Sequence, residues 1–200
     1  MLRRAFYVCA LVAGLAGLAA SSARAVTVDA FANSSSGGSG EATGVVLTAG
    51  QAFTVTVALS DLWSAGALPR WSNADGLIVP LVATGSDESG EAAGTVIGSI
   101  FPLWTQDGFT APYGSLVGQI GSGAFFLIGT SFSGLAYASG ELSLYYWDSN
   151  NYDNTGSISA TIDAAAVPGP IVGAGLPGLL TAMGGLVVLA RRRRNQGCVT

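Results

Sequence analysis

Short apolar runs, separated by glycine, serine, asparagine and aspartate, fill the middle of the chain. In residues 53–59, Phe53, Val55, Val57 and Leu59 alternate with Thr54, Thr56 and Ala58, the period of a half-buried strand. Leu142, Leu144 and Tyr146 repeat the alternation, and so do Ile158, Ala160 and Ile162. The pattern predicts strands over 26–31, 44–47, 53–59, 77–83, 95–101, 115–120, 124–128, 132–137, 141–147 and 157–162. No stretch between them carries a long 3.6-residue period with caps. Many short strands with turn signals predict an all-β domain, a β-sandwich of the jelly-roll kind.

The two ends follow other rules. Arg3 and Arg4, an apolar run over 5–20 and the small-x-small site Ala23-Arg24-Ala25 predict a secretory signal peptide over 1–25. A membrane anchor fits less well, because the run is short and ends in small polar residues. Residues 171–190 carry no charge, and about 20 apolar residues suffice to cross a bilayer. Arg191, Arg192, Arg193 and Arg194 follow at once and hold that end on the cytoplasmic side, which leaves 26–166 outside. Gly173, Gly175, Pro177, Gly184 and Gly185 make this a poor soluble helix, whereas lipid-phase helices tolerate such residues.

Charge sharpens the division. The chain has no lysine or histidine, and seven of its eight arginines lie in the two ends. Arg70 alone faces twelve acids between 26 and 166, a net charge of −11. Such a segment repels nucleic acid. It either attracts divalent cations or simply keeps an exported protein soluble. Cys9 and Cys198 both fall in the segments expected to be removed, so no disulfide is expected in the domain.

Without His, Lys or a retained Cys, the usual Ser-His-Asp, Cys-His and lysine chemistries cannot be assembled, and zinc lacks its preferred ligands. No Gly-rich phosphate motif ending in Lys is present. A paired-carboxylate glycosidase remains formally open, but one sequence does not pair two acids across a cleft; the expectation is a protein that is not an enzyme.

The candidate centre lies between the strands at 141–147 and 157–162. Asp148, Asn150, Asn151, Asp153 and Asn154 crowd into seven positions. Either water solvates these oxygens or a hard cation collects them. Calcium takes about 6–8 oxygens from carboxylates, amides and main-chain carbonyls. The loop is not an EF-hand: counted from Asp148, position 6 is Asp153 rather than Gly and position 12 is Ser159 rather than Glu. The Ser/Gly-rich stretch 33–40 is expected to be mobile. The loop 84–94, with Asp87, Glu88 and Glu91, reads as solvated rather than as a second calcium site.

Aromatic side chains can stack on the apolar face of a sugar. Trp63 ends an alternating strand and is expected in the core. Trp147 precedes Asp148 and points to the other face of a continuing strand. Trp71 and Trp104 remain as candidates. Gln106 and Asp107 are placed either in a ligand-contacting loop or, more simply, in an exposed turn before Gly108.

Two resemblances extend this reading. Val167-Pro168-Gly169-Pro170, the apolar span 171–190 and the arginine cluster 191–194 resemble a bacterial C-terminal sorting signal of the PEP-CTERM type, in a VPxPA-like variant. The motif departs from the commonest Pro-Glu-Pro form at Gly169. The resemblance implies recognition by an exosortase-type membrane protease, cleavage near Pro168 and Pro170, and transfer from an inner-membrane anchor to the cell surface or medium.

The second resemblance is carried by Thr43-Gly44-Val45-Val46-Leu47, by Trp63, by Ala111-Pro112-Tyr113-Gly114-Ser115, and above all by Tyr146-Trp147-Asp148 through Asp153-Asn154-Thr155-Gly156-Ser157. These pieces resemble the PA-IL-like calcium-dependent galactophilic lectins, small sandwiches with a galactose-binding-domain-like fold. The resemblance implies a calcium ion held by Asp148, Asp153 and Asn154, with carbonyls near Asn150 or Asn151 and near Gly66. Two sugar hydroxyls would complete its shell. Galactose-binding members orient the sugar with a histidine, which this chain lacks, so that specificity does not carry over. The alternative is a calcium-stabilised structural module of the cell surface or matrix that binds no sugar.

Overall fold

The computed structural model describes residues 23–166. The alternating runs become strands with one buried edge. In β3 (Ala52–Val57), Phe53, Val55 and Val57 turn inward. In β13 (Gly140–Tyr146), Leu142, Leu144 and Tyr146 are buried, and in β14 (Thr155–Ala164) Ile158, Ala160 and Ile162 are buried.

Ten-residue β14 is the spine of a six-stranded sheet. One side of it pairs antiparallel with β1 (Arg24–Asp29), from Arg24↔Ile162 to Asp29↔Ser157. Its other side is shared. β3 takes the C-terminal half, from Ala160↔Val57 to Ala164↔Phe53. The two-residue β4 (Trp63–Ser64) takes the N-terminal end, where Gly156 faces Trp63. β5 (Trp71–Ser72) pairs with β4, and β12 (Ser131–Leu135) pairs with β3.

The second sheet has the order β11 (Phe125–Leu127), β10 (Leu116–Ile120), β13, β2 (Glu41–Leu47). The buried faces of both sheets feed one apolar core. Val28, Val55, Ile158 and Ile162 come from the first sheet, and Leu47, Leu116, Leu142 and Leu144 from the second. Two sheets over one core is the layering of a β-sandwich. Two small hairpins stand outside this path: β6 (Leu81–Val82) with β7 (Val96–Gly98), and β8 (Leu103–Gln106) with β9 (Phe109–Pro112).

Several expectations need correction. The runs 77–83 and 95–101 yield only the two-strand ladder β6–β7. Leu77 is buried there, whereas Ile78 and Val79 face outward, so the apolar run has no sheet to join. β4, β5, β8 and β9 arise where no strand was expected. Two-residue strands show no period, and β8–β9 is closed by Asp107 and Gly108. Both have positive φ (50° and 77°), the backbone demanded by a tight hairpin turn.

The stretch 33–40 is tied down rather than loose. Ser34 bridges to Tyr146, Tyr146 N–H donates to Asn33 O (3.0 Å), and Ser35 N–H donates to Tyr146 O (2.8 Å).

Trp63 is fully buried, as expected. Its Nε1–H donates to Gly114 O (2.8 Å), and its ring meets Tyr146 edge-on at 4.5 Å. The expected leader boundary at Ala25 falls inside β1, since Arg24 and Ala25 already pair with Ile162 and Thr161. Residues 1–22 and the sorting segment 167–200 lie outside the described residues. Among the described residues no helix is long and apolar enough to cross a membrane.

Candidate functional site

The loop 147–154 connects β13 to β14 and meets two others: the β1–β2 connection and the turn between β4 and β5. Each supplies a different constraint. Ser35 Oγ sits against the main chain of Asp148, donating to its O at 3.1 Å and accepting from its N–H at 3.2 Å. Asn151 Nδ2 donates to Phe31 O (3.2 Å). Asn154 Nδ2 donates to both Ala30 O and Asn150 O, each at 3.1 Å. With both amide hydrogens of Asn154 committed, its orientation is fixed by the network.

The oxygens opposite these donors are left over. Asp148 Oδ2, Asn150 Oδ1, Asp153 Oδ1 and Asn154 Oδ1 are buried and have no hydrogen-bond partner. Asp148 is 2 % exposed and Asn154 4 %. Buried polar atoms are normally paired, so one orphan calls for an explanation. Here four oxygens from seven consecutive residues are orphaned, and every one is an acceptor. An anion would find no donor in this set, whereas acceptor oxygens of this kind suit a hard cation.

The hydroxyl of Tyr146 lies buried without a partner as well. Burial pushes its phenol well above the ordinary range, and the charges of Asp148 and Asp153 push the same way. The group is therefore protonated, a buried hydroxyl with a hydrogen to donate.

Burial pushes the Asp148 carboxyl from 3.8 up to about 6; the main-chain amides of Ser149 and Asn150 and, more weakly, the Asn154 side chain oppose the rise, and the charge of Asp153 adds to it. Its Oδ1 accepts from Ser149 N–H at 2.5 Å, which leaves Oδ2 as the unpaired oxygen. Asp153 approaches the β4–β5 turn because Gly66 carries no side chain. A Cβ there would stand 2.3 Å from Asp153 Oδ2, and the φ of Gly66 is +116°. The Gly66 carbonyl accepts from Ser64 Oγ (2.7 Å).

The structure thus brings Asp148, Asp153, Asn154 and Gly66 together. Asn151 has a different place from Asn150. Its Nδ2 serves Phe31, its carbonyl accepts from Asn154 N–H (3.1 Å), and the inward orphan is the side chain of Asn150. Gln106 is a brace. Its Nε2 donates to Ser35 O (2.9 Å) and its Oε1 accepts from Ser36 Oγ (2.7 Å), one step behind Asp148. Asp107 occupies the exposed β8–β9 turn. Trp71 packs on Leu62, Ala83 and Ile97, and Trp104 packs on Ala111, Val117 and Trp147.

Sequence reasoning missed Asn150 as a side chain, Ser35, Tyr146 and Arg70. Arg70 Nη1 stands 4.0 Å from Asp153 Oδ2. Its isolation as the only base of the segment was the available signal.

Among the described residues no three His, Cys, Asp or Glu side chains gather into a metal cluster. The site has two carboxylates and completes its oxygen set with amides. The acidic loop 84–94 behaves differently. Asp87 accepts from Ser89 Oγ, Thr84 N–H and Thr84 Oγ1, and these bonds, the Ser89 hydroxyl foremost, pull its carboxyl down to about 2. Its oxygens are used by its own turn. Two surface depressions, one over Leu59, Leu62 and Leu81 and one over Phe53 and Ser133, do not include the 147–154 loop.

No protein-family model matches the sequence, and no curated protein matches it. Among solved structures the chain is similar to a domain described as the EclA N-terminal domain, a PllA-like lectin. The identity is 19 %, the overlap covers 70 % of this chain and 95 % of that one, and the TM-score is 0.46. A superposition this loose assigns no residue a role.

Proposed function

We propose that this protein binds calcium through Asp148, Asn150, Asp153 and Asn154 and, through that ion, a glycan. The observation that carries the reading is the set of four buried, partnerless acceptor oxygens in one loop. Calcium fits it better than its competitors. Zinc prefers nitrogen and sulfur, and magnesium demands a near-ideal octahedron. Calcium accepts an irregular shell of mixed carboxylate, amide and carbonyl oxygens. Main-chain carbonyls near Asn150 and Gly66 are further donors within the loop system.

When bound, the ion supplies open coordination positions that two neighbouring sugar hydroxyls can take in place of water. The chain's own part is to hold the oxygens rigid: Ser35 and Gln106 brace Asp148, and Gly66 admits Asp153. Single-site affinity for a sugar is expected to be weak unless sites are multiplied. The same reading has residues 1–25 removed on export. It has the signal at 167–200 read by an exosortase-type protease, which carries the domain from the inner membrane to the cell surface or beyond.

A second reading has one observation in its favour. Asp148 and Asn154 are buried almost completely, which suits an ion that pins the loops and serves as a structural clamp without sugar. Calcium titration by calorimetry, followed by a glycan array with and without chelator, separates the two. Calcium-dependent glycan signals support the lectin. Calcium binding with a silent array supports the clamp. Absence of calcium binding refutes both.

A further inference from the structure

Arg70 is the one basic residue between positions 26 and 166, and the fold delivers it to the rim of the acceptor cluster. Asp153 faces two ways. Its Oδ1 is one of the buried orphans, while its Oδ2 lies 4.0 Å from Arg70 Nη1. The guanidinium is held in place. It lies over the Phe101 ring at 5.1 Å from the centroid, and Nη1 donates to Ala65 O at 3.4 Å. Gly66 keeps the corner open, since a Cβ there would touch Asp153 Oδ2 and stand 3.6 Å from Arg70 Nη1. Among the described residues only Nη1 is engaged by a hydrogen bond or ion pair, and the side chain is 42 % exposed. Nε and Nη2 are therefore left as donors on a side chain that is partly exposed.

A fixed positive charge beside a cation site has a cost, because like charges repel. Fold stability does not repay it: an ion pair this exposed contributes little. A ligand with a negative charge does repay it, since its oxyanion is attracted by the guanidinium and by the ion together. A planar carboxylate also matches the arginine fork in two parallel hydrogen bonds, and a sulfate can do the same. The rest of the segment is strongly acidic. An anion is thus drawn to this rim and repelled elsewhere.

We propose that the glycan taken by this site is acidic: hydroxyls of the sugar meet the ion held by the 148–154 loop, and a carboxylate or sulfate on the same or the next sugar is taken by Arg70. The proposal rests on the calcium reading above.

The test uses the purified full chain, wild type and Arg70→Gln. Calorimetry reads calcium affinity, and binding of three probes is compared in calcium: a galacturonate oligomer, a sulfated galactose oligomer and a neutral galactose oligomer. Wild type is expected to prefer an acidic probe about tenfold or more, the order of one charge-assisted contact. Preference for the uronate or for the sulfate identifies which oxyanion is read. Arg70→Gln is expected to move the two readouts in opposite directions: calcium binds several-fold tighter, while the acidic preference is lost and neutral binding stays level. Arg70→Lys keeps the charge without the fork and is expected to keep wild-type calcium affinity with only part of the preference. Calcium binding with no acidic preference in wild type overturns the Arg70 assignment alone. So does a parallel loss of calcium and of all probes in Arg70→Gln, the mark of a merely structural residue. Absence of calcium binding in wild type overturns the reading beneath, and the proposal with it.

Discussion

Asp148→Asn neutralises the centre of the loop without changing its shape, and the sign of its effect should depend on calcium. The carboxyl is raised from 3.8 to about 6, chiefly by burial. A raised folded value means that its contribution to stability is present below pH 3.8 and is lost as pH climbs through about 6. The whole rise corresponds to about 3 kcal/mol, at about 1.36 kcal/mol per unit. Relaxation of the loop around the buried charge lowers this to about 1–3 kcal/mol. The amide introduced by the substitution carries no charge at any pH. Its Nδ2 also offers a donor where Oδ2 has none. Metal-free Asp148→Asn is therefore expected to exceed wild type at pH 7.5 by about 1–3 kcal/mol, a melting shift of roughly 3–10 °C for a domain this size. The gap should close below about pH 4. In saturating calcium the order should reverse, because the variant has lost a carboxylate ligand and gains less from the ion. Thermal melts followed by circular dichroism between pH 4 and 8, with calcium or with chelator, give both comparisons. A metal-free variant less stable than wild type at pH 7.5 would refute the orphan-charge reasoning. An equal calcium-induced gain in both proteins would remove Asp148 from the ion's shell.

Three further outcomes are expected. Gly66→Ala puts a Cβ into Asp153 Oδ2 at a φ of +116° and should weaken calcium binding about tenfold or more; calorimetry showing wild-type affinity would detach Gly66 from the site. Ser35→Ala removes the hydroxyl that braces both main-chain groups of Asp148 and should cost about 1–2 kcal/mol in denaturant melts; a loss below about 0.3 kcal/mol would make the brace incidental. Tyr146→Phe deletes a buried hydroxyl with no partner, so the metal-free protein should be unchanged or up to about 2 kcal/mol more stable; clear destabilisation in the same melts would show that the hydroxyl is satisfied.

The sequence made the sandwich legible where one face of a strand is buried and the other is wet. β3, β13 and β14 follow their alternation almost residue by residue. It also made the oxygen-rich loop legible, because Asp148, Asp153 and Asn154 fall within seven positions of the chain. What it hid depends on contacts between distant segments. The serines and glycines at 33–40 have the composition of a linker, yet Ser35 reaches Asp148, 113 positions away. Nothing local distinguishes Asn150 from Asn151, since a loop has no period to say which side chain turns inward. Gln106 looked like a ligand contact or a turn residue; it is a brace, because the β8–β9 hairpin folds it back against Ser35 and Ser36.

β14 also sets the polarity of the whole module. Arg24 pairs beside Ile162, and Ala164 pairs with Phe53, so both ends of the described chain leave from the far end of this strand. The oxygen-rich loop enters at the near end, at Thr155. Ten residues at about 3.3 Å each separate the two by roughly 30 Å. A tag or fusion partner joined to the isolated domain directly at residue 23 or at Ala166 would therefore begin at the end of β14 opposite the loop.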